Sequence, residues 1–475
     1  MSMLDAQGHA VTGATPASLA AYERALGAVL AWRGGAGVPL DDAIAEAPGF
    51  VMAHALQAYR LVCSRDPARV RSAQAVLELA AALPANEREA AHLAAIASVL
   101  ADDYDFARET LTDLLRQHPC DVLALHAAHA LDYLSGDAER LSSRVAELLP
   151  LWSDRLPAYH AVLSMHAFGL VEHGDCEGAE QTALAALALD PRDARAHHAM
   201  AHVFEMTDRA EAGARWLRDH LACWAQESVV ATHCWWHLAL FELDRGRVAE
   251  ALMIYDQRVR IGLTRATDID DVTANASVAD LIDASALLWR LQLRGCDVGT
   301  RWRELAEAWS AHTDDAFCSF TDVHAMLALV GARDWHRARR LERSLAISAS
   351  LPTRYGKTTR VLGLPACRAL LAFGRGDCAQ AIGLLAGLPA LAHRLGGSHA
   401  QRDVLHLTLL QAIQRVRRPI LRPAERSRTQ RLPDRAIEHR PEDASAQAVH
   451  LRVGRFTEMG AFRGLQAAAQ TASGV

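Results

Sequence analysis

Two short stretches, "RAHHAMAHVFEM" and "ATHCWWHLALFEL", each carry a pair of histidines four residues apart: His198 with His202, and His233 with His237. On a helix, residues four apart lie about 40° apart around the axis, so each pair shares a face. Glu205, three residues beyond His202, shares that face too. Imidazoles at this spacing can chelate a metal ion, and four of them with a carboxylate would suit zinc or non-haem iron. Ala199 follows His198, so the glutamate base of an H-E-x-x-H helix is missing. A second chemistry is open to the same groups. Imidazoles donate, accept and charge near neutral pH, which fits a polar pocket for an anionic or peptide-like ligand. The plainest role is hydrogen bonding of the histidines to one another, to backbone carbonyls and to water in a crowded interior.

Other residues could join that face. Trp236, with Trp235, Tyr159 and Trp289, offers apolar walls. Asp283 stands in "LIDASALLW", where an unpaired carboxylate among apolar neighbours would be costly. Asp322 and His324 share "TDVHAML", and Asp403 and His406 share "QRDVLHL". Two function classes follow. One is a binding protein holding a small molecule or peptide segment on a face of His126, His198, His202, Glu205, His233, Trp236, His237, His324 and Asp403. The other is a metal-dependent hydrolase or oxygenase, with Glu205 as ligand or general base and Asp283 or Asp322 orienting a ligand. A plain protein–protein scaffold is the third, bland alternative. No nucleophile elbow, P-loop or dinucleotide glycine motif accompanies the histidines.

The elements that must position these groups are helical. Strand signals are nearly absent, Ala and Leu dominate, and apolar residues recur at three and four. Breaks are short: "GD", "DPRD", "HPCD", "DRGR". In "YHAVLSMHAFGLVEHGDCEGAEQTALAALALDPRD", Ala167 sits in a first helix, Gly174 makes the turn, and Ala179 and Ala186 line a second helix that Pro191 ends. Comparable landmarks recur at Ala107 and Pro119, at Gly136, and at Ala369, Gly376 and Ala381. The chain of 475 residues exceeds an ordinary single domain. The expected fold is all-α: a tetratricopeptide-like solenoid of antiparallel helix pairs over residues 16–412, either open or curled around a central polar pocket. Residues 1–15 read as an N-terminal tail. Residues 413–475 read as a tail rich in arginine and proline, with a short helix around Glu442–Phe456.

Several segments carry a resemblance: "AFGLVEHGDCEGAEQTALAALALDPRDARAHHAMAHVFEM", "HCWWHLALFELDRG" with "ALMIYD", "LIDASALLWRLQLRG", "FTDVHAML" and "LGGSHAQRDVLHLTLLQA". In this order they resemble the tetratricopeptide repeat protein 38 family, over residues 20–412. The resemblance implies a helical-repeat fold and brings no activity with it. It also implies that the fifth, ninth and twelfth positions of each repeat face a concave groove. His198, His202 and Glu205 occupy those positions in one repeat, while His92, His126 and His233 occupy the fifth position in others.

Bulk properties exclude some classes. The formal net charge of −6 and the absence of aromatics among the C-terminal arginines argue against a nucleic-acid binder. No run of 18 apolar residues is present, so no membrane span is expected. The nine cysteines are scattered without a C-x-x-C, which fits free thiols in a reducing cytoplasm, and the first residues lack the pattern of a signal peptide.

Overall fold

One device begins many of the helices. Asp66, Asp103, Asp121, Asp137, Asp175, Asp193, Asp334 and Asp377 each stand just before a helix and accept a hydrogen bond from a backbone N–H of its first turn. At three of the turns a glycine precedes the aspartate in left-handed backbone, Gly136 at φ 71°, Gly174 at φ 102° and Gly376 at φ 86°. A side chain would be strained there, which is why "GD" marks these turns. In the computed structural model, which describes residues 3–260 and 277–417, the outcome is an all-α protein, three quarters helical. The one sheet among the described residues pairs Met3–Leu4 with Ala10–Val11. No helix among them is long and apolar enough to cross a membrane.

Consecutive helices pack in pairs, among them Glu87–Leu100 with Tyr104–Gln117, Tyr159–His173 with Cys176–Leu189, and Ala194–Met206 with Ala210–Asp219. The first helix of one pair also packs on the first helix of the next. Thus Tyr159–His173 lies against Ala194–Met206, that helix against Ala231–Asp244, and the last against Val278–Leu293. Small residues set the spacing. Ala167, Ala179, Ala183 and Ala186 are fully buried, and a Cβ on Gly169 would stand 2.6 Å from the Leu141 carbonyl oxygen. Early and late parts of the chain meet as well. The Ala194 N–H donates to Ala31 O at 3.1 Å, Arg354 reaches Asp102 at 3.1 Å, and Tyr133 Oη donates to Gln401 at 3.2 Å.

Both expected tails need correction. Residues 3–11 form a docked hairpin. Asp5 accepts from the Gln7 and His9 N–H groups and pairs with Arg88 at 3.3 Å, each of the two side chains being 5% exposed. Thr12 N–H donates to Glu89. Short polar segments of this kind give no apolar period, so their docking through one buried aspartate is invisible to periodicity. At the other end the helix Val404–Arg417 runs past the expected boundary at 412, and the Arg415 guanidinium lies 4.2 Å from the Phe373 ring centre. The arginine stem covers apolar surface here, so its charge does not end the helix. The short helix expected around Glu442–Phe456 lies outside the described residues.

Candidate metal centre

The helices Ala194–Met206 and Ala231–Asp244 place the two histidine pairs face to face. One nitrogen from each of His198, His202, His233 and His237 can be chosen so that all four lie within 4.8 Å of one another. His198 Nε2 and His202 Nε2 are 2.9 Å apart. Ring centres are separated by 4.5 Å for His202 and His237, 4.8 Å for His233 and His237, and 4.9 Å for His198 and His233. His202 and His237 are wholly buried and His198 is 3% exposed. Both nitrogens of the His237 ring lack a hydrogen-bond partner among the described residues.

Why four imidazoles meet here follows from the helix starts. One comparable histidine, His92, finds the aspartate that caps the first helix of the next pair, its Nε2 bonding Asp121 at 3.0 Å. The helix Ala231–Asp244 begins after Val230, which has no capping side chain. His198 therefore meets no such carboxylate and faces the next pair of histidines instead.

Carboxylates stand behind two of the four rings. His233 Nδ1 hydrogen-bonds Asp283 Oδ2 at 2.8 Å, and Gln401 donates to Asp283 Oδ1 at 3.1 Å. That arrangement fixes the His233 tautomer and leaves Nε2 as the lone-pair nitrogen. His202 Nδ1 lies 3.7 Å from Glu172 Oε1, longer than a hydrogen bond. Glu172 is held by the His399 N–H and by His399 Nδ1 at 3.1 Å, with Arg402 at 3.5 Å. Burial alone would raise the Glu172 carboxyl, but the His399 hydrogen bond and the Arg402 charge bring it down to about 2, so it is an anion.

Burial sets the protonation of His198, His202 and His237. It holds His198 and His237 well below the usual imidazole range, aided by the neighbouring rings. It lowers His202 to about 3, although Glu172 pulls the other way. Neutral imidazole is the form that binds a metal. Aromatic walls close the site. His233 stacks on Trp236 at 5.1 Å with 12° between planes, Phe168 lies 5.3 Å from His198, and Trp32 lies 5.4 Å from His198.

The remaining expected residues lie around this centre or away from it. Glu205 is not in the four-residue group. His126 is claimed by Arg195, whose Nη2 donates to His126 Nδ1 at 2.9 Å while its guanidinium lies 4.5 Å from the Trp32 ring centre. His324 donates from Nδ1 to Phe320 O at 2.8 Å, and burial lowers it to about 4. Asp322 is bonded by Tyr355 Oη at 2.9 Å, and burial raises it to about 7. Asp403 is part-exposed at the end of the short helix His399–Arg402, whereas Gln401 and Arg402 just before it reach the carboxylates of the centre. Tyr159 is part-buried, Trp235 packs on Trp224, and Trp289 donates to Thr408 at 2.8 Å. Sequence reasoning missed Glu172, Gln401 and Trp32. Glu172 left one signal, a charged residue on the buried side of "AFGLVEH". No protein-family model matches the chain.

Proposed function

We propose that the chain is a metal-binding helical-repeat protein, a tetratricopeptide-like solenoid curled so that one divalent transition ion sits between His198, His202, His233 and His237. The convergence of four imidazoles within 4.8 Å, three of them buried, carries this reading. Zinc–nitrogen bonds of about 2.0–2.1 Å put tetrahedral ligand nitrogens about 3.4 Å apart. Closing the group onto an ion therefore takes side-chain movements of about 1 Å, within the reach of small χ rotations. The Glu172 carboxylate, with the Asp283 carboxyl group behind His233, helps to balance a divalent ion in a buried place. Imidazole donors without thiolate or carboxylate suit zinc, and also copper, nickel or iron.

The closed surroundings favour a retained ion over turnover. Structural zinc sites are four-coordinate and closed, whereas catalytic ones keep a position for water. Here His202 and His237 are wholly buried, and the ion would tie the helix Ala194–Met206 to the helix Ala231–Asp244. The carboxylates behind the ligands are held in turn by residues 399–402, so the ion would also secure the late segment against the middle of the chain. Cobalt(II) titration of chelator-treated protein tests the reading. Intense visible bands of tetrahedral cobalt, lost in His198→Ala and His233→Ala while helicity is kept, support it. Only the weak bands of hydrated cobalt would overturn it.

A further inference from the structure

Away from the histidines, a cavity opens where three distant parts of the chain meet. Arg65 comes from the turn after the helix Val51–Val62, Arg354 from the start of the helix Arg354–Thr358, and Arg394 from the 3-10 turn Ala392–Leu395. Ser64, Tyr104, Ser319, Tyr355 and Thr358 add hydroxyl groups to its lining, and no carboxylate is among the lining residues. The empty space is about 390 Å³ including the mouth, room for one compact group.

The three arginines differ in how they are balanced. Arg354 is paired with Asp102 at 3.1 Å and lies 3.8 Å from the Tyr104 ring centre. Arg65 has no such anion. Its guanidinium is held between the rings of Phe320, at 4.6 Å, and Tyr133, at 5.2 Å. Its Nε and Nη2 are buried without a hydrogen-bond partner among the described residues. Arg394 is exposed, and among the described residues neither it nor Arg65 forms an ion pair. Asp322, behind Tyr355, does not supply the missing charge, because Tyr355 Oη already holds it and burial favours its neutral form. Two aromatic faces therefore fix a planar fork of donors at a cavity with excess positive charge. A guanidinium in that state matches the paired oxygens of an oxyanion.

We propose that this cavity binds a phosphate-class oxyanion, either free inorganic phosphate or the phosphate of a small phosphorylated molecule, with Arg65 and Arg394 as its principal ligands. The proposal does not rest on the metal reading, and its test separates the two. The full chain, treated with chelator, is titrated calorimetrically at constant ionic strength with inorganic phosphate and with glycerol phosphate. Saturable binding is expected. It should weaken about tenfold or more in Arg65→Met and in Arg394→Gln. Arg394 is exposed, so Arg394→Gln keeps the fold even if Arg65→Met disturbs it. Tighter binding of the ester identifies a phosphorylated small molecule as the occupant, and equal binding identifies phosphate itself. No saturable binding of either compound overturns the proposal, and so does binding that both substitutions leave unchanged.

Discussion

Replacing His237 by leucine should cost the metal-free protein little and the metal-loaded protein much more. The ring is wholly buried, 4.5 Å from His202, 4.8 Å from His233 and 5.0 Å from Trp236 between centres. A neutral imidazole brings one donor and one acceptor, and both His237 nitrogens lack partners among the described residues. Each such buried group costs about 1–3 kcal/mol, so leucine removes a burden of about 2–6 kcal/mol. Against this, each lost ring–ring contact forfeits about 0.5–1.5 kcal/mol, or about 2.5–7.5 kcal/mol over five contacts, those with His198 and Phe241 included. The central values leave the chelated variant about 1 kcal/mol less stable than the natural chain. With zinc at 100 times its dissociation constant the natural chain gains about 2.7 kcal/mol, while the variant, short of one ligand, gains little. Urea midpoints followed by far-ultraviolet circular dichroism should therefore lie close together in chelator and move apart in zinc. A loss of more than about 3 kcal/mol in chelator would refute the reasoning, because it would show that the ring is a bonded core residue. Equal stabilisation of both proteins by zinc would refute it too.

Three further outcomes are expected. Asp283→Asn should weaken zinc binding about 10–100-fold in chelator competition, because the amide no longer orients His233 as the carboxylate does, and unchanged affinity would remove Asp283 from the centre. Asp322 should make the protein less stable as pH rises. Its folded value of about 7 lies above the usual 3.8, so the penalty is absent below about pH 4, grows between the two values and is complete above about pH 7. At about 1.4 kcal/mol per pH unit it reaches about 4 kcal/mol, and Asp322→Asn should flatten melting temperature against pH in that window; a slope identical to that of the natural chain would contradict this. Asp5→Ala should cost about 1–3 kcal/mol in urea unfolding, because Asp5 caps the first turn and pairs with the buried Arg88; a change below about 0.3 kcal/mol would return residues 3–11 to the status of a tail.

What could be read from the sequence was what repeats locally. Helical class, the glycine turns at Gly136 and Gly174, and the shared face of each histidine pair all follow from spacings of a few residues. What escaped it depends on contacts made across the chain. Asp283 was legible as a carboxylate among apolar neighbours, but Glu172 and Gln401 come from segments whose own spacing does not point to the histidine pairs. Like places on different helices also proved chemically different. His126 and His198 each stand five residues after a capping aspartate, yet Arg195 engages His126, because neighbouring side chains differ from pair to pair. The N-terminal hairpin failed to appear in the sequence for a related reason: a buried ion pair, not an apolar stripe, holds it.

The central claim is that the four histidines hold an ion. Elemental analysis of untagged protein, purified without chelators, measures this directly. The account predicts a single zinc-class transition ion per chain, lost in His198→Ala and His233→Ala variants that remain helical. It would be contradicted by natural protein that carries no transition metal as purified and takes up none after dialysis against zinc and passage through a desalting column.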